Sequence, residues 1–209
     1  MARFTVDSAD WPDVSDPTEP LLVTAVPPPR QRVFLPRNRG ERWKGFLWAI
    51  VRATVFRWSP SGAMRWRNWL LRRFGATIDP TAEVHASVIV ELPWHLSIGP
   101  RSKIAHKVIL NCMGAVSIGA DTRISQYAHV VAGTHEYTRP DMQILRKPVT
   151  IGDNVWIAAD AFIGPGVTIA DGAIVAARSS VFHDLPGRMV AAGEPATVRR
   201  RRDDRPAAE

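Results

Sequence analysis

Cysteine is almost missing from this sequence. Cys112 stands alone, so no disulfide can form within the chain and a cysteine-rich zinc site is excluded. A long apolar run is missing too. The longest stretch, Gly45 to Phe56, is interrupted by Arg52 and falls short of the roughly 20 residues that cross a bilayer. The first residues carry acids, with no basic segment leading into an apolar one, so no secretory signal is read there. These absences place the chain in a reducing compartment, and the expected location is the cytoplasm. Tyrosine is also scarce, with two residues against eight Trp.

Acid is the next deficit, and it is local. From Arg30 to Arg73 twelve cations (Arg30, Arg32, Arg37, Arg39, Arg42, Lys44, Arg52, Arg57, Arg65, Arg67, Arg72 and Arg73) face one acid, Glu41. Residues 1–29 show the opposite bias, with Asp7, Asp10, Asp13, Asp16 and Glu19 against Arg3, and they end in Pro27-Pro28-Pro29. Residues 1–40 therefore read as an acidic, proline-rich leader with no apolar period, expected to be disordered. The net charge of +7 would ordinarily suggest nucleic acid. Here the cations alternate with large apolar residues, which argues against a nucleic-acid partner.

What the sequence does contain is a repeat. Ile151, Ile157, Ile163, Ile169, Val175 and Val181 hold one aliphatic phase over six hexads, and a small residue usually follows each. The same phase is visible at Ile118, Ile124 and Val130, at Ile98 and Ile104, and faintly at Ile78 and Val84. A hexad is too short for a helix-and-strand unit, but it makes one short strand and a corner. Three hexads close a triangular coil whose Ile or Val points inward onto its neighbours, while Gly, Ala or Asp after it lets the backbone turn. Coils bury their apolar faces only by stacking, so the ends need caps. The expected fold is an all-β solenoid over residues 76–198. Residues 136–149 break the phase and must project as a loop, with His135 at its root.

Before the repeat, residues 41–75 read as two amphipathic helices. Residues 41–58 carry Trp43, Phe46, Leu47, Ile50, Val51, Val55 and Trp58, and Ser59-Pro60 ends them. Residues 62–74 carry Trp66, Trp69, Leu70 and Phe74, and Gly75 closes them. Such helices can cap the first coil. Trp beside Arg also suits the interface of an anionic membrane, with rings at headgroup level. The run Arg199 to Arg202 opens a basic tail expected over residues 199–209.

The hexads resemble those of the left-handed β-helix acyltransferases, and the corner Gly133-Thr134-His135 before an excursion loop resembles that of galactoside and maltose acetyltransferases. A closer resemblance, over roughly residues 40 to 200, runs through Phe56 to Pro60, Arg65 to Arg67, Leu70 to Gly75, Pro93-Trp94, Ile124 to Gln126, Pro165 to Ile169 and Ala177 to Phe182. It is to the colanic acid biosynthesis acetyltransferases of the WcaF type. The resemblance implies a left-handed β-helix, a homotrimer with sites between subunits, acetyl-CoA as co-substrate and a sugar acceptor on an exopolysaccharide precursor, free, nucleotide-linked or lipid-linked. It implies His135 as general base, with Trp156, Ala159, Ala177, Arg178, Phe182, His183 and Arg200 along the coenzyme channel. Where the galactoside and maltose enzymes place an Asn and an Asp around the acceptor, this chain has Ala105 and Met113, so its acceptor pocket must be built differently.

The chemistry such a base performs is simple. A sugar hydroxyl is a poor nucleophile, and neutral imidazole, with an ordinary pKa of about 6.5, can take its proton during attack on a thioester. Backbone N–H groups would hold the oxyanion. No Gly-x-Ser-x-Gly elbow suggests an acyl-serine route, and a lone Cys112 in a repeat reads as a small core residue. Arg178 reads equally as a phosphate contact or a surface charge, and Asn111, Gln126 and Tyr127 as turn-closing residues. Alternatives remain open: a serine or antibiotic acceptor, a non-catalytic scaffold, or a γ-carbonic-anhydrase-like lyase with His106, His129 and His135 as zinc ligands. No metal is expected.

Overall fold

A computed structural model describes residues 39–203. Each hexad becomes a strand of two or three residues and a corner. The first coil holds β1 (Thr77–Ile78), β2 (Glu83–Val84) and β3 (Ile89–Glu91). The second holds β4 (Leu96–Ile98), β5 (Lys103–Ile104) and β6 (Ile109–Asn111), and the third β7 (Val116–Ile118), β8 (Arg123–Ile124) and β9 (His129–Val131). A hairpin of β10 (Gly133–His135) and β11 (Ile144–Arg146) then intervenes. The fourth coil is β12 (Val149–Ile151), β13 (Trp156–Ile157) and β14 (Phe162–Ile163), and the fifth β15 (Thr168–Ile169), β16 (Ile174–Val175) and β17 (Ser180–Val181). A closing hairpin pairs β18 (Met189–Gly193) with β19 (Ala196–Arg201).

The coils stack into three parallel faces. The first is β1-β4-β7-β12-β15, the second β2-β5-β8-β13-β16-β18 with β19 at its edge, and the third β3-β6-β9-β14-β17. The register superposes the hexad phase on itself. Ile98, Ile118, Ile151 and Ile169 pair in sequence on the first face. Val84, Ile104, Ile124, Ile157 and Val175 do so on the second, and Val90, Leu110, Val130, Ile163 and Val181 on the third. All are buried. Each such side chain contributes about 1.5–3 kcal/mol relative to exposure.

The small residue after the inward Ile has a different role from the one expected. A Cβ on Gly99 would lie 2.7 Å from the Gly119 backbone, and one on Gly119 would strike Gly152 and the Asp153 carboxylate. Glycine is required there because successive coils touch. The left-handed turns fall later in each hexad, largely on other residues: Lys107, Tyr127, Asp160 and Arg178 at the corner between second and third faces all have φ of 57–65°.

The excursion at residues 136–149 also differs from a plain loop. Its two legs pair as an antiparallel hairpin, and the chain is back on the solenoid at Val149 rather than Ile151. At the other end, the basic run does not begin as a free tail. Arg199, Arg200 and Arg201 lie in β19, and Arg202 Nη1 donates to the carbonyls of Asn154 and Gly172 at 2.7 and 3.0 Å. The last strand of the second face, β18, needs a partner for its edge, and β19 supplies it. Residues 204–209 and the expected leader lie outside the described residues, apart from Arg39 and Gly40, which open the first helix.

Helix α1 (Arg39–Val51) continues into a π-helical stretch at Arg52–Phe56, and α2 is Met64–Arg73. They close the open edge of the first coil. Its strands present carbonyls with no coil beneath, and three side chains take them: Arg72 Nε donates to Ile78 O at 2.7 Å, Arg67 Nε to Val84 O at 2.7 Å, and Trp48 Nε1 to Val90 O at 2.8 Å. These acceptors are the same hexad position on the three faces. Asn68 Nδ2 adds a bond to Ala82 O at 2.7 Å. Trp48 packs edge-on against Phe56 and tilted against Phe74, at 5.7 and 5.1 Å.

Arg67 has the largest share of this work. The residue is 1% exposed, and its guanidinium also donates to Ser59 Oγ, Pro60 O and Ser61 O, closing the turn between the helices. Replacing it orphans several buried acceptors at once. Arg67→Met is expected to lower stability by about 3 kcal/mol, read as a lower urea midpoint at unchanged slope. Arg67→Lys should recover only part, because an ammonium lacks the fork.

Candidate active site

His135 ends β10, whose partner strand fixes it in register: Gly133 opposite Arg146, Thr134 opposite Leu145, His135 opposite Ile144. Gly133 has no room for a side chain, since a Cβ would lie 2.6 Å from that of Met113. The His135 ring is exposed, and Nδ1 lies 2.6 Å from the carbonyl oxygen of Met142. A carbonyl only accepts, so Nδ1 carries the hydrogen and the lone pair of the neutral ring sits on Nε2. That is the tautomer of a base.

The hairpin tip is built to hold that carbonyl. Met142 has φ of 45°, a left-handed conformation rarely adopted by an unbranched side chain, and its N–H bonds Arg139 O at 3.1 Å. Glu136 N–H bonds Gln143 O at 2.8 Å, and Thr138 Oγ1 donates to Glu136 Oε1 at 2.6 Å. Arg139 and Gln143 both donate to Asp141, and the bond from Arg139 holds that carboxyl below its ordinary pKa. None of this was visible in the sequence, because the group that orients His135 is a backbone carbonyl and no residue type advertises it.

The coenzyme candidates fall into groups. Ala159, Ala177 and Arg178 share the corner between second and third faces, where Arg178 N–H bonds Ala159 O at 2.9 Å. Arg178 also pairs with Asp160 at 3.5 Å, with both side chains well solvated. Trp156 lies on the second face, half-exposed, with Nε1 donating to Ser125 Oγ at 3.0 Å. Phe182 is exposed beside Phe162 at 5.7 Å, and His183 follows it at the corner between third and first faces. Arg200 stands on β19 with Nη1 3.2 Å from Asp203. The hairpin leaves from the same corner as His183, two coils earlier, so His135 and the Ala159–Arg178 line occupy different corners of one chain.

Other candidates resolve more simply. Cys112 is fully buried, its Sγ 3.5 Å from Leu110 O, and burial pushes its thiol pKa up, which removes it as a nucleophile. Asn111 Oδ1 accepts from Met113 N at 3.3 Å and Tyr127 takes a left-handed turn, both at corners, whereas the bond at Gln126 is its backbone carbonyl accepting from Asp160 N of the next coil at 3.0 Å. Met113 sits at the hairpin root beside Gly133, whereas Ala105 follows β5 at the opposite corner. His106 packs edge-on between His85 and Tyr127, His129 lies on the third face and His135 on the hairpin, so one chain does not bring the three together.

Comparison with known proteins agrees with this geometry. The bacterial transferase hexapeptide family (six repeats) matches residues 148–183. WcaF of Escherichia coli K12, assigned by its name to acetyl transfer in colanic acid biosynthesis, is 42% identical over 163 residues, covering 78% of this chain and 90% of the relative. Galactoside O-acetyltransferase of Escherichia coli K12 is 32% identical over 142 residues, covering 66% of this chain and 70% of that one. A solved galactoside acetyltransferase in complex with coenzyme A superposes with a TM-score of 0.74 at 28% identity, covering 82% of this chain and 86% of the other. The three-faced solenoid, its mid-coil excursion and these likenesses lead to one conclusion: the chain belongs to the hexapeptide-repeat acetyltransferases, enzymes built on a left-handed parallel β-helix.

Proposed function

We propose that the protein is an O-acetyltransferase that moves the acetyl group of acetyl-CoA to a sugar hydroxyl of an exopolysaccharide precursor, with His135 as general base. The observation that carries this reading is the bond from His135 Nδ1 to Met142 O, which leaves Nε2 as the basic nitrogen of an exposed ring. Nε2 takes the hydroxyl proton as the alcohol oxygen attacks the thioester carbonyl carbon. Backbone N–H groups stabilise the tetrahedral oxyanion. Its collapse forms the ester and expels the coenzyme thiolate, which takes the proton back from the imidazolium. The coenzyme and sugar are brought to this chain by likeness to the galactoside enzyme bound to coenzyme A and to WcaF.

The placement of His135 and the line of Ala159, Ala177 and Arg178 on different corners supports a site completed by a neighbouring subunit of a homotrimer. Small side chains on that line leave the backbone open to a pantetheine arm, with Trp156 on the adjoining second face, Phe182 and His183 toward the hairpin's corner and Arg200 on the closing strand as further coenzyme contacts. Truncating the base removes its contribution, typically about a hundred- to ten-thousand-fold. His135→Ala is expected to keep its thermal midpoint and lose at least about a hundredfold in kcat. Turnover retained in that variant would sink the assignment.

The same reading places the enzyme on the cytoplasmic side, in peripheral contact with an anionic membrane where a lipid-linked acceptor is held. Among the described residues no helix is long and apolar enough to cross a membrane. Yet Trp43, Phe46, Leu47, Ile50, Val55, Trp58, Trp66 and Trp69 are all exposed on α1, α2 and their junction, beside Arg42, Arg57 and Arg65. Water-facing rings flanked by cations suit a headgroup layer. The full chain should sediment with anionic phospholipid vesicles and much less with zwitterionic ones, and a Trp43→Ser, Trp58→Ser double variant should release it. Failure of the intact chain to bind would remove the membrane from this account.

A further inference from the structure

Glu41, the one acid in the basic block, is not a surface charge. Its Oε2 lies 3.1 Å from Arg146 Nη2, in an ion pair whose arginine side chain is 9% and glutamate side chain 24% exposed. The partners are 105 residues apart. One stands in the first turn of α1; the other is on β11, directly opposite Gly133 in the hairpin that carries His135. Arg146 Nε is buried and has no hydrogen-bond partner among the described residues, so this guanidinium depends heavily on the carboxylate.

The route from the solenoid floor to the hairpin follows one helix. Trp48 bonds the first-coil carbonyl of Val90, Lys44 Nζ lies 4.9 Å above the Trp94 ring at the next corner, and Glu41 reaches Arg146. Seven residues of helix rise about 10 Å, which is about two inter-strand steps of 4.8 Å. Helix α1 therefore spans from the first coil to the level at which the hairpin departs, and Glu41 is where it meets the hairpin base.

We propose that the Glu41–Arg146 pair is a positioning device for the catalytic histidine, through which α1 fixes the hairpin and hence the direction of His135 Nε2. Arg146 is rigidly coupled to the base: its backbone pairs with Gly133, and the same two-strand ladder holds His135 and leads to Met142. A pair this poorly hydrated is weakly screened by salt, and loss of one member leaves the other uncompensated. Small displacements of a catalytic group are costly, with about 1 Å worth up to about a hundredfold. The inference rests on His135 as the base, and its readouts are chosen to separate the two.

The test uses full-length Arg146→Met and Glu41→Gln. Each should lose about tenfold or more in kcat while KM for acetyl-CoA stays within about twofold. Amide exchange at Glu136 and the rest of the hairpin should accelerate, with third-coil amides unchanged. The reversed pair, Glu41→Arg with Arg146→Glu, should regain a substantial part of kcat. Unchanged kcat in both single variants would overturn the proposal, as would equal acceleration of exchange throughout the solenoid. Should Arg146→Met fail to fold, Glu41→Gln decides by the same readouts, because it keeps the guanidinium and a nearly isosteric partner. Hairpin loosening does not depend on the chemistry, so loosening in Glu41→Gln combined with full activity of His135→Ala would discard the base and keep the strut.

Discussion

A stacked parallel coil leaves a row of backbone carbonyls facing nothing at its first edge, and the protein depends on supplying them with donors. Arg72, Arg67 and Trp48 each deliver one N–H to one face, at Ile78, Val84 and Val90. An uncapped edge would cost free energy for each buried acceptor and would template association with other edges. The opposite end is managed by β19 folding back onto β18. Between these closures the aliphatic columns can stack without interruption, and the whole becomes a stiff frame.

Stiffness is what the chemistry needs. A hairpin hung on a regular solenoid can hold an imidazole in one tautomer only if its own turn is rigid, and the Arg139, Asp141 and Gln143 web around Met142 makes it so. The basic nitrogen then stands at a fixed height on one corner, while the small-residue line of Ala159 and Ala177 runs along another. One protomer thus carries the hairpin histidine and the small-residue line on two different corners of the same triangle. Because Glu41 shares a helix with the exposed Trp43 and Phe46, the exposed aromatic face of α1 and its contact with the hairpin root belong to one helix.

Much of this was legible beforehand, for a physical reason. A solenoid repeats its burial pattern every coil, so Ile151 through Val181 reveal both the period and the inward side chains. An interruption such as residues 136–149 stands out against that period. The cap was half legible: the amphipathic pattern showed two helices with aromatic faces, but not that Trp48 turns inward to a carbonyl while Trp43 and Trp58 remain outside. The basic run at Arg199 read as tail because its cations mask a strand whose neighbour is set by an edge, not by its own residues. The corner glycines were noticed for the wrong reason, since the crowding at Gly119 comes from a coil more than thirty residues away.

The sequence by itself determined the repeat, the phase of the core, the place of the excursion and the histidine at its root, because each follows from local spacing. Only the tertiary structure decided which nitrogen of His135 is basic, which carbonyls Arg67 and Arg72 cap, and that Glu41 meets Arg146. Those contacts join residues far apart in the chain, often through backbone atoms common to every amino acid. Such pairings leave no mark in a linear pattern and exist only once the coils are stacked.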